Sequence, residues 1–97
     1  MSDISLHGFQ NLDASELDLV NKLVLTNLKK LKTDYELLSL KLKQHKHTTR
    51  IIHELYADLF FSKGKSIAAE SNDANLYKAL DQVFLKLISE IKHRFKK

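Results

Sequence analysis

Apolar residues recur along the chain at two spacings, and the switch between them marks the elements. Leu17, Val20, Val24, Leu28 and Leu31 follow at three- and four-residue intervals. At ~100° per residue they form one apolar arc, flanked by Leu23, and predict a helix. Lys22, Thr26, Lys29 and Thr33 take the opposite arc. Asp13 or Ser15 can cap the helix start, with Glu16 and Asp18 near its positive end, and lysines complement its close near Lys32. Before it, Ile4, Leu6 and Phe9 predict a short first strand over Ile4–Phe9.

From Tyr35 onward the period falls to two. Leu38, Leu40 and Leu42 alternate with Ser39, Lys41 and Lys43, the pattern of a half-buried strand. The polar stretch Gln44–Arg50 reads as a connection or as frayed strand ends. Leu55, Ala57, Leu59 and Phe61 alternate with Glu54, Tyr56, Asp58 and Phe60 in a third strand. Ser62-Lys63-Gly64-Lys65 is a turn in which Gly64 can take positive φ, and Ile67–Glu70 is a short fourth strand.

Ser71-Asn72-Asp73 offers N-caps for a second helix. Leu76, Leu80, Val83, Phe84, Leu87, Ile88, Ile91 and Phe95 form its apolar stripe, and Lys78, Gln82, Lys86, Ser89, Lys92, His93, Lys96 and Lys97 its polar back. Leu85 is the one apolar residue on that back. The order β-α-β-β-β-α gives an α+β fold with two layers, a four-stranded sheet covered on one face by both helices. Their basic backs then share one outer surface.

Composition fits one unit. At 97 residues with 43% hydrophobic content, the chain forms a single domain, residues 1–97. Without cysteine, disulfides and thiolate zinc sites are excluded, so an ordinary core holds the fold. No segment reaches the ~18 apolar residues of a membrane span, and the start lacks the basic-then-apolar order of a secretory signal. A cytoplasmic protein without a membrane partner is expected.

The charge of +4 is unevenly placed. Residues 1–40 hold four lysines against six acids, net −2, and residues 41–97 twelve bases against six acids, net +6. A basic end on a small domain points to an anionic partner. Lysine is a flexible point charge, suited to phosphate backbones more than to base edges, and double-stranded RNA is read by shape and backbone. Tyr56 and Phe60, on the sheet face away from the helices, fit a cross-strand role in the sheet better than a base-stacking platform.

Catalytic chemistry is poorly supplied. The chain has no Ser-His-acid set, no glycine-rich phosphate loop and no paired carboxylates, so no enzyme activity is expected. His45 and His47 share one side of a strand, but two histidines fall short of the three or four ligands a metal needs. No metal, cofactor or small-molecule substrate is expected.

Several blocks carry a family resemblance. Tyr56-Ala57-Asp58-Leu59-Phe60-Phe61-Ser62-Lys63-Gly64-Lys65, Ala68-Ala69-Glu70, Leu76-Tyr77-Lys78-Ala79-Leu80-Asp81 and Lys86-Leu87 resemble the ribosome hibernation-promoting factor family. The same β-α-β-β-β-α order extends the resemblance over nearly the whole chain, as a short form or a divergent homologue. It implies a non-catalytic factor that docks basic helix faces on rRNA of the small ribosomal subunit. There it would block the mRNA and tRNA channel and inhibit translation in idle ribosomes. Lys22 and Lys86 match basic family positions, and Lys92 or His93 matches one in the tail. Leu25 and Ser89 stand where the family is often basic. With the helix backs included, the expected rRNA-binding set is Lys22, Lys29, Lys30, Lys78, Lys86, Lys92, His93 and Lys97. The alternatives are a general double-stranded RNA-binding module, or a protein-interaction module using Tyr56, Phe60 or a strand edge.

Overall fold

A computed structural model describes residues 3–95, without the side chain of Phe95. Its elements are β1 (Asp3–His7), α1 (Ala14–Leu31), β2 (Leu37–His47), β3 (Arg50–Phe60), β4 (Ser66–Asp73) and α2 (Leu76–Phe95). The strands form one sheet in the order β1-β2-β3-β4. β1 runs parallel to β2, and the other pairs are antiparallel. The parallel pair requires a crossover, which α1 supplies. The α+β fold with both helices on one face is thus the one the sequence patterns predict.

Local chemistry sets the helix ends. Asp13 closes a capping box: its Oδ1 accepts from the Glu16 amide at 2.8 Å, and the Glu16 carboxylate accepts from the Asp13 amide at 3.2 Å. Lys32 ends α1 in the left-handed region, at φ 52°. The cap of α2 is Asn75, not Ser71, Asn72 or Asp73. Asn75 Oδ1 accepts from the amides of Tyr77 at 2.9 Å and Lys78 at 3.2 Å. Ser71–Asp73 instead extends β4 three residues beyond the predicted Glu70.

Strand periodicity becomes a core. Leu38, Leu40 and Leu42 of β2 and Leu55, Ala57 and Leu59 of β3 are buried beneath the helices. Val20, Val24 and Leu31 descend from α1, and Leu76, Ala79, Leu80, Val83, Phe84, Leu87 and Ile91 from α2. Burying each large side chain contributes about 1.5–3 kcal/mol. β1 ends at His7, two residues before the predicted limit, because Gly8 turns at φ 83° and sends Phe9 into the core.

Two buried polar side chains are satisfied within the helix layer. Ser71 donates to the Ala79 carbonyl at 2.6 Å, tying β4 to α2. Asn27 donates to the Leu23 carbonyl at 2.9 Å and faces Asp81 of α2 at 3.5 Å, at the seam between the helices.

The polar segment 44–50 differs most from expectation. It is neither a loose connection nor frayed. β2 and β3 continue through it to the pair His47–Arg50 and close on a two-residue turn at Thr48-Thr49.

Candidate nucleic-acid interface

Both helices turn a solvated back outward, and the lysines occupy it in rows. Lys22 and Lys29 are seven residues apart on α1, two turns or about 10.5 Å along its axis. Lys78, Leu85 and Lys92 form a similar row on α2. All five residues are exposed, as is Lys30. Lys22 lies 3.9 Å from Asp18 one turn earlier, and both side chains are more than 70% exposed. Such a contact is weakly held and leaves Lys22 available.

Helix stability explains some of these cations. Lys29 and Lys30 in the last turn of α1, and Lys92, His93 and Arg94 in the last turn of α2, complement the negative helix ends. Lys78 has no such reason. It is in the first turn of α2, where the helix dipole disfavours a cation.

The expected residues do not all share one direction. Lys86 is turned to the flank of α2, and its ammonium donates to the Glu70 carbonyl on the outer edge of β4 at 2.6 Å. Arg94 reaches the Ser66 carbonyl on that edge at 3.3 Å. His93 lines the same flank, with Ala68, Ala69, Lys86, Ser89 and Glu90 around one shallow groove. The outer surface thus joins Lys22, Lys29, Lys30, Lys78 and Lys92, while Lys86 and His93 flank the β4 edge. Lys97 lies outside the described residues.

Apolar residues are interleaved with the lysines more than sequence reading indicated. Leu85 is 65% exposed, Leu25 57% and Leu19 47%. By helical angle Leu19 and Leu25 lie off the Leu17–Leu31 arc, Leu19 among the polar positions, and the structure shows both in solvent.

The open face of the sheet is mixed in charge. Tyr56 is tied in, with the Lys43 ammonium 5.5 Å from its ring centroid and its hydroxyl 3.3 Å from the Glu54 carboxylate. Partial desolvation, then the Glu54 and Glu70 carboxylates, push its phenol above the ordinary value. The Lys43 contact reaches across from β2, while Glu54 is two residues earlier on the same strand. At the far end His45 Nε2 lies 2.6 Å from Glu54 Oε1. Among the described residues, no three His, Asp or Glu side chains group as metal ligands, and no helix is long and apolar enough to cross a membrane.

No protein-family model matches the chain, and neither does any curated protein sequence. Solved structures do. A ribosomal subunit interface protein from Coxiella burnetii superposes with a TM-score of 0.75 at 17% identity, covering 98% of this chain and 99% of that one. The Protein Y N-terminal domain of Thermus thermophilus superposes with a TM-score of 0.58 at 25% identity, covering 96% and 98%. Over nearly its whole length, the chain therefore has the fold of a ribosomal subunit interface protein, the architecture that its resemblance to the hibernation-promoting factor family implies.

Proposed function

We propose that the chain is a non-catalytic ribosome-binding factor. Its helix layer docks on rRNA of the small subunit, covers the mRNA and tRNA channel and inhibits translation in idle ribosomes. The observation that carries this reading is the pair of outward rows, Lys22–Lys29 and Lys78–Leu85–Lys92, on a fold shared end to end with a ribosomal subunit interface protein. Lys78 adds weight, because its position in the first turn of α2 opposes helix stability and is accounted for by a phosphate partner.

Physical chemistry supports backbone contact. Exposed ammonium groups reach phosphates without burying charge, and each phosphate neutralised releases counterions, which makes binding salt-dependent. Leu25 and Leu85 among the lysines supply apolar contact once water is displaced. The test is sedimentation of the chain with purified small subunits over a salt series, alongside translation of a reporter mRNA. Binding that weakens with salt and lowers translation is expected. Equal affinity for free duplex RNA would favour the general RNA-binding reading instead.

A further inference from the structure

β2 and β3 outrun their neighbours. The β1–β2 ladder stops at His7–Lys41, and the β3–β4 ladder stops at His53–Asp73. The β2–β3 ladder continues to His47–Arg50. Among the described residues, His45–Ile52 therefore form a two-stranded arm with no further strand on either side. Every residue from His45 to Ile51 is exposed.

Its charge has one sign. Residues 37–53 contain no Asp or Glu, and Lys46 and Arg50 lie on the arm; Lys43 at its base is paired across the strands with Glu54, whose carboxylate also meets His45. The register distributes these cations over both faces. His45, His47 and Arg50 point to the open side of the sheet, and Lys46, paired with Ile51, to the helix side. Folding alone gives no reason for this arrangement. An isolated two-stranded ribbon is marginal in water, and this one lacks a packed apolar face. Its turn places Thr48 at φ 49°, a conformation that a β-branched residue resists and that Gly or Asn would fill more easily.

We infer that the His45–Ile52 arm is a second RNA-binding element, which enters a cleft with RNA phosphates on both walls while the helix layer lies against the subunit. The inference rests on the ribosome-binding function proposed above. A ribbon basic on both faces suits such a cleft, whereas a flat surface would need cations on one face only. The arm has no Phe, Tyr or Trp to stack on a base or to anchor in a protein pocket, and the imidazole of His45 is held by Glu54, so its contact is with the phosphate backbone.

The test uses the full chain and purified small subunits, with a photo-reactive aromatic residue at position 49 and, separately, at position 63 in the turn at the opposite end of β3. Crosslinking of position 49 to rRNA is expected, with none from position 63. In parallel, Lys46→Gln with Arg50→Gln should weaken binding about tenfold and lower the log–log salt slope by about 1.5, as loss of two phosphate contacts requires. Lys63→Gln with Lys65→Gln should change neither. A chain that sediments with the subunit but crosslinks at position 49 only to protein or to nothing, with the salt slope unmoved, overturns the arm and leaves the helix-layer function standing. A chain that does not sediment with the subunit overturns both.

Discussion

Gly8 passes so close to β2 that a Cβ at position 8 would collide with the carbonyl oxygen of Leu42. The residue also sits at φ 83°, a region L side chains rarely adopt. Gly64 has a similar φ of 74°, yet a Cβ there meets nothing within 4 Å. Gly8→Ala is therefore predicted to destabilise the fold by more than about 2 kcal/mol, and Gly64→Ala by only about 1 kcal/mol. Chemical denaturation of the two variants side by side checks the difference. Equal losses would show that backbone conformation alone, and not the approach to Leu42, governs position 8.

The core was readable in the sequence because burial leaves a period. The Leu38-Leu40-Leu42 alternation and the Leu80–Ile91 stripe both mark faces that are buried. The features that were hidden lack that signal. The arm beyond Gln44 buries no face, so its polar residues carry no strand pattern. Ser71 is buried but small and polar, so the apolar pattern ends β4 at Glu70 and places the cap of α2 too early. The direction of Lys86 depends on where the β4 edge lies, which the spacing of α2 alone does not reveal. The rows Lys22–Lys29 and Lys78–Lys92 were legible because a helical back repeats every two turns.

His53 couples stability to pH. Desolvation beneath α1 holds its pKa below the ordinary value of 6.5, against the opposing pull of Glu16 from α1 and Asp73 from β4. Gln44 Nε2 lies 3.3 Å from its Nδ1. Because the folded pKa is lowered, the unfolded chain binds more protons in the window just below 6.5, and stability falls as pH drops through it. His53→Gln should flatten that part of the stability curve. Denaturant midpoints from pH 7.5 to 5 measure it, and a variant curve parallel to the parent's would refute the assignment.

The β4 edge is covered by cations from α2. Lys86 and Arg94 reach its Glu70 and Ser66 carbonyls. An uncovered edge is a template for pairing with other chains. Lys86→Ala with Arg94→Ala is expected to cost at most about 1 kcal/mol, since both contacts are at the surface, but to raise self-association. Light scattering against concentration follows it, and an apparent mass no greater than the parent's would show that the two side chains do not protect the edge.

Leu25 and Leu85 separate binding from folding. Both are more than half exposed, so Leu25→Ser and Leu85→Ser should shift the melting temperature by no more than the equivalent of about 0.5 kcal/mol. Each should weaken binding to the small subunit by about fivefold to tenfold if the helix backs form the contact. Unchanged affinity with both leucines replaced would remove them from the interface.

The central claim is that the outer helix layer binds the ribosome. The most direct measurement is sucrose-gradient sedimentation of the parent chain and a variant carrying Lys22→Glu, Lys29→Glu, Lys78→Glu and Lys92→Glu, with circular dichroism to confirm that both are folded. The parent is predicted to travel with the small subunit at low salt and the folded variant to stay at the top of the gradient. A folded variant that still travels with the subunit would contradict the assignment of that surface.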